Sequence, residues 1–261
     1  MKQKNELALL PDPQKFLPVA EDIENVLSEL RDVLSRSVFG VISIAAGGAG
    51  VFKIQEPGAD EPGPGGESVE GVIVASHPVN IRWGHDFGSR VQGELPLCRS
   101  MDGLTGVNQE TGETFDCATC PYNQFKADGG RKECANKRQL YIMREGDLIP
   151  MLFSLPPSAL RAYDNYRIQA ALSLRCPMSA LLTRITLKNK TNANGIAYSS
   201  PVFTAVGKLP QEEGKRMEAF ARQIMQAAQR AGISADNLSD QAVAASGGFV
   251  VSDEDLPDFG D

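Results

Sequence analysis

Residues 84–137 set the tightest limit on how this chain can fold. They hold four of its five cysteines, are polar and glycine-rich, and carry no sustained hydrophobic period. A stretch of that length has no apolar face with which to organise itself, and long structureless connections are uncommon inside compact domains. Another organiser is needed. Five cysteines is an odd number, and the opening MKQKNELALLPDPQKF lacks the apolar core and small-residue cleavage site of a secretory signal. The expectation is a cytoplasmic protein, where thiols stay reduced and a metal site is a more natural reading than a disulfide framework.

Cys98, Cys117, Cys120 and Cys134 lie within 37 residues; 18 residues separate Cys98 from Cys117, and 13 separate Cys120 from Cys134. The Cys117-Ala118-Thr119-Cys120 turn aims two sulfurs at one point, and two distant thiolates then complete a tetrahedron around zinc. Gly103, Gly106, Gly112, Gly129 and Gly130 supply turns for such a knuckle. Metal binding would contribute the folding energy that the stretch lacks. A four-cysteine iron–sulfur cluster uses the same ligand set and stays open as the alternative cofactor. Four thiolates fill zinc's coordination and leave no position for water, so the expected site is structural. His77 and His85 are not needed as ligands, and Cys176 reads as a buried free thiol. A zinc deaminase needs an H-x-E arrangement upstream, but His77 is followed by Pro78-Val79. No GxxxxGK[ST], GxSxG or HExxH is present, and no carboxylate pair suggests acid–base chemistry. The expectation is a protein that is not an enzyme.

The rest of the chain reads as four regions. Residues 1–36 form an acidic segment with an amphipathic helix over 19–36, where Val19, Ile23, Val26, Leu27, Leu30, Val33 and Leu34 share one face. Residues 37–208 form the main domain, with the cysteine-rich insertion 84–137 inside it. Strands are expected over 38–44, 50–54, 71–83 (with a break at Pro78), 139–144, 148–155, 180–188 and 197–206, with a helix over roughly 158–173. EPGADEPGPGGES (56–68) reads as a loop. Residues 209–232 form a second amphipathic helix, and 233–261 a disordered acidic tail. The fold class is mainly β with flanking helices (α+β). A helix set between the third and fourth strands is the order of an OB-fold, a small barrel that commonly binds single strands, so the expectation is an OB-like five-stranded barrel with a zinc-knuckle insertion. No apolar run approaches the roughly 20 residues of a membrane span, so no membrane partner is expected.

Charge is segregated. Residues 1–70 carry 6 basic and 12 acidic side chains, residues 71–208 carry 16 and 11, and residues 209–261 carry 4 and 10. The net charge of −7 therefore hides a basic middle, and local potential governs binding. Basic and aromatic residues are interleaved there. Cations for phosphates and rings for bases are what single-stranded nucleic acid requires. The candidate contacts are Arg82, Trp83, Tyr122, Phe125, Lys126, Arg131, Lys132, Lys137, Arg138, Tyr141, Arg144, Arg184 and Lys188. Tyr163 and Tyr166, on the expected helix, read as packing.

Two resemblances add to this reading. The end of the chain, Asp253-Glu254-Asp255-Leu256-Pro257-Asp258-Phe259, resembles the acidic tip of bacterial and phage single-stranded DNA-binding proteins. In that family the tip recruits replication and repair proteins and competes with DNA for the basic groove. Here Asp258 separates Pro257 from Phe259, and Gly260-Asp261 follow, where the family usually stops at phenylalanine. The segments CRSMDGLTG and DCATCPYNQF, Cys134 followed by Asn136-Lys137-Arg138, and the helix start LPPSAL resemble phage-type single-stranded DNA-binding proteins with a cysteine knuckle inserted in an OB-like barrel. That resemblance spans roughly 70–208. It implies support of replication or recombination in a phage, prophage or mobile element. The expected partners are single-stranded DNA, replication or recombination proteins through the tail, and further copies of the chain on DNA. A zinc-containing nuclease or replication accessory subunit, and a protein-interaction adaptor, are the rival readings.

Overall fold

The centre of the molecule is built by two buried, mostly apolar runs. Gly71–Val74 and Gln139–Met143 are each buried at consecutive positions, which in a strand means that both faces are covered. They belong to β4 (Ser68–Arg82) and β8 (Cys134–Met143), paired antiparallel from Val72↔Met143 to Arg82↔Cys134. The computed structural model describes residues 7–9, 12, 15, 39–84, 95–127, 132–191, 195 and 197–230. The expected helix over 19–36, His85, Arg131 and the tail 233–261 lie outside the described residues.

β8 continues through a turn into β9 (Met151–Leu155). β9 runs parallel to β1 (Val41–Ile44), which is followed outward by β2 (Phe52–Gln55) and β3 (Gly63–Gly66). The opposite edge of β4 is shared. Its first half pairs with β10 (Leu181–Thr191), which pairs with β11 (Ala197–Lys208). Its last three residues pair with β5 (Cys98–Ser100), followed by β6 (Thr105–Asn108) and β7 (Thr114–Asp116). Among the described residues this makes one mixed sheet of eleven strands that does not close on itself. The mainly β, α+β class therefore holds, but the sheet is open where a closed five-stranded barrel was expected.

The difference has a physical source. Gly63-Pro64-Gly65-Gly66 offers no alternation of apolar and polar side chains, yet it forms edge strand β3, where proline is tolerated. β5, β6 and β7 are only three or four residues each, too short to show one. Pro78 does not break β4. On its outer edge β10 has ended and β5 begins only at Asn80, so a residue without an N–H interrupts no ladder there.

Helix α1 (Pro157–Gln169) starts with proline in its first turn and continues into a π-turn, Ala170–Leu174. It ends on Arg175 at φ 50°. Its Ala159 and Tyr163 cover one face of the sheet, packing with Ile42, Phe52, Ile73, Leu140, Ile142 and Phe153. Helix α2 (Gln211–Arg230) lays Met217 and Phe220 on the other face, against Val72, Val74, Tyr141, Met143 and Leu152. Gly71 permits the closest approach in the centre. A β-carbon there would lie 2.6 Å from the Met143 carbonyl oxygen and 2.7 Å from Ile142 Cγ2.

Candidate metal centre and nucleic-acid interface

The far half of β4 positions the cysteines. Arg82 stands opposite Cys98 on β5 and opposite Cys134 on β8, while Cys98 stands opposite Asn108 on β6. Directly opposed residues share a face, so Cys98 and Cys134 flank Arg82 in one row. The two backbones are two strands apart, roughly 9–10 Å. The other pair arrives from beyond β7. Asp116 folds the Cys117–Cys120 turn: its Oδ1 accepts the Ala118 N–H at 2.9 Å, and its carbonyl accepts those of Thr119 (3.3 Å) and Cys120 (3.0 Å). The Cys117 N–H donates to the Leu104 carbonyl at 2.8 Å, and the Gln124 amide donates to the Ala118 carbonyl at 2.8 Å.

All four cysteines line one cavity of about 320 Å³, together with Asn80, Ser100, Gly106, Asn108, Glu113, Phe115, Tyr122 and Asn123. Gly106 is a cradle. A β-carbon there would lie 3.0 Å from Cys98 Sγ and 3.5 Å from Cys117 Sγ. Burial, then the Cys117 and Cys120 sulfurs, raise the Cys98 thiol. Burial, then the other three sulfurs, push Cys134 up to about 12. Among the described residues no three His, Cys, Asp or Glu side chains are gathered closely enough to ligate one ion. The four thiols ring the cavity instead. The donor chemistry still fits a thiolate-bound metal: four soft sulfurs face one space, glycine stands where a side chain would intrude, and a guanidinium lies alongside. Cys176 lies apart, half-buried against the α2-side core.

Beside the cysteines lies a group of paired cations and rings. The Arg82 guanidinium sits 3.5 Å from the centroid of the Tyr122 ring and donates two hydrogen bonds to Glu133 Oε2, at 3.1 and 3.2 Å. Lys132 Nζ lies 5.0 Å from the Phe125 centroid. Tyr122 is 40% exposed and Phe125 is 74% exposed, so both rings present area to solvent. Lys126 pairs with Glu133 at 3.7 Å. Arg138 reaches toward the Tyr163 ring, 6.0 Å to the centroid. Trp83 and Lys137 are half-buried at the end of β4 and in β8. Lys188 is exposed on β10, at the other end of the sheet from the cysteines.

Two expected contacts are corrected. Tyr141 is fully buried between Phe39 and His77, with centroids 6.4 and 5.6 Å away, so no base reaches it. Arg144 is held by two carboxylates, Asp147 and Glu56, with four hydrogen bonds at 2.8–3.0 Å. Those contacts, the Asp147 bond foremost, raise its pKa further and occupy its donors. Arg184, another expected contact, is exposed on β10 and paired with Glu70. Tyr163 and Tyr166 pack inside, as expected, against Phe203.

The sequence reading assigned no role to Asn80, Asn123 and Asn136. Asn80 and Asn136 stand opposite each other on β4 and β8, 56 residues apart in the chain, and no local signal joins them. Comparison with protein-family models, with curated proteins and with solved structures found no match for this chain. None of the helices among the described residues is long and apolar enough to cross a membrane.

Proposed function

We propose that this chain binds single-stranded DNA without strong sequence preference and catalyses no reaction. The observation that carries the reading is one juxtaposition. Two cation–ring pairs, Arg82–Tyr122 and Lys132–Phe125, expose their rings beside the four-thiol cavity. Exposed rings among cations suit bases and phosphates together. In this reading the cysteine insertion forms one wall of an OB-like groove, opened out because the sheet does not close. Cys98, Cys117, Cys120 and Cys134 hold zinc, or an iron–sulfur cluster with the same four ligands. When bound, the metal supplies folding energy to a stretch with little apolar burial. Lys126, Lys137 and Arg138 extend the basic surface, and the tail Asp253–Phe259 recruits replication or recombination proteins and competes with DNA for it. The setting is the cytoplasm of a cell carrying a phage or mobile element, with copies of the chain associating along the strand.

Fluorescence anisotropy with labelled single-stranded and duplex DNA, over a salt series, tests the reading on the full chain and on a chain ending near Gly248. The single strand is expected to be preferred, binding is expected to fall steeply with salt, and removing the tail is expected to tighten it. Lys132→Gln should reduce the logarithmic salt slope by about 0.7. Arg144→Gln should leave it unchanged, because that guanidinium is already taken up by carboxylates. Tyr122→Ala should weaken binding by about 1–3 kcal/mol, the worth of one stacked base. Absence of binding by either form would sink the proposal and favour the adaptor reading.

A further inference from the structure

Asn136 ties three polar side chains together. Its Nδ2 donates to Asn80 Oδ1 at 2.7 Å and to Asn123 Oδ1 at 2.9 Å, and its Oδ1 accepts from Lys132 Nζ at 3.2 Å. The two receiving amides are oriented by backbone. Asn123 Nδ2 donates to the Cys117 carbonyl at 2.7 Å, and Asn80 Nδ2 donates to the Gly103 carbonyl at 3.1 Å. Each must therefore turn its oxygen toward Asn136, and only a group with two hydrogens satisfies both. Gly103 adjoins Leu104, whose carbonyl accepts the Cys117 N–H. Both backbone groups of Cys117 are thus tied, through Asn123 on one side and the 103–104 loop on the other, to one amide two residues from Cys134.

We propose that Asn136 is the positioning residue of the metal centre, holding the Cys117–Cys120 turn beside the Cys98–Cys134 row so that the four sulfurs ringing one cavity can close on one metal. This rests on the metal reading proposed above. It does not require Asn136 to touch the metal. The substitution Asn136→Asp would keep the shape but present oxygens to two oxygens. Flipping Asn80 and Asn123 to compensate would forfeit their bonds to Gly103 and Cys117. Loss of such outer partners typically costs 10–100-fold in metal affinity.

The test is chelator competition for Zn²⁺, with the visible spectrum of the Co²⁺-loaded protein as the record of thiolate coordination. It is run on the full-length chain, on Asn136→Asp, on Asn123→Ala and on Gly71→Ala, with circular dichroism as the check on folding. Both asparagine variants should lose on the order of 10-fold or more in Zn²⁺ affinity, with a weakened or altered Co²⁺–thiolate band. Gly71→Ala, a destabilised sheet remote from the relay, should bind as the parent does. Asn123→Ala leaves the central strands β4 and β8 unaltered, so it keeps the test decisive if Asn136→Asp fails to fold. A parent that binds Zn²⁺ and asparagine variants that bind it as tightly would overturn this inference alone. An equal loss in Gly71→Ala would overturn it too, by making the effect one of global stability. A parent that takes up neither Zn²⁺ nor Co²⁺ would overturn the metal reading together with this inference.

Discussion

His77 shows how much one side chain can carry. It is 5% exposed, and neither ring nitrogen has a hydrogen-bond partner; the hydroxyl of its neighbour Tyr141 has none either. Burial, reinforced by the charge of Arg138 and opposed by Asp102, lowers its pKa from 6.5 to about 4. The folded protein therefore keeps His77 neutral where the unfolded chain already binds a proton. The stabilisation is complete above pH 6.5 and is lost as pH falls toward 4, by about 3 kcal/mol in all. Denaturant unfolding at about pH 7 and about pH 4.5, either side of most of that loss, should show a larger drop for the parent than for His77→Leu. Equal drops would show that the ring does not titrate as its surroundings demand. Tyr141 teaches the complementary lesson. An aromatic between basic residues reads as a base-stacking platform in the sequence, and only its place behind Phe39 makes it core.

At the scale of elements, β4 decides the architecture. It is long enough to serve two sets of strands at once: β10 takes its first half and β5 its last three residues, while β8 runs along the other edge. Its apolar pattern was legible in the sequence, and so were α1, α2, β9, β10, β11 and the second half of β8, because each is long or strongly periodic, whereas residues 134–137 of β8 read as part of the insertion. β3, β5, β6 and β7 were not, since short strands rich in glycine, threonine and polar residues leave no period to read. The tightest point of β4 is Gly71. Gly71→Ala would drive a β-carbon into the Met143 carbonyl, and backbone cannot swing aside as a flexible side chain does. The expected cost is about 1–3 kcal/mol, typical of overpacking. A midpoint in urea unchanged from the parent would show that the strands part freely there.

At the scale of the molecule, stability is unevenly distributed. The central sheet is covered on both faces, by α1 and α2, with two dense apolar clusters. The β5–β7 extension hangs on the last three residues of β4, and of its residues from 98 to 127 the only buried hydrophobic one is Cys117. With so little burial, local opening should be easy unless a metal closes it. Limited proteolysis with and without a strong chelator checks this. Chelation should open cleavage between residues 101 and 127 while the sheet from 134 to 208 stays resistant. Identical patterns would mean that hydrogen bonds alone hold the extension.

Composition and local period were enough to establish the mainly β class, the two flanking helices, the basic middle and the gathering of four cysteines in an insertion without a core. Neighbouring residues impose such properties on one another, so they are written along the chain. Which cations remain available to a ligand is set by the folded arrangement. Arg144 meets Glu56 across 88 residues, and no local pattern records such a pairing. The open sheet has the same origin, because pairing between strands distant in the chain sets its edges. The asparagine chain from Asn80 through Asn136 to Asn123 belongs to this class as well: hydrogen-bond partners are chosen by strand register, and register exists only once the sheet has formed.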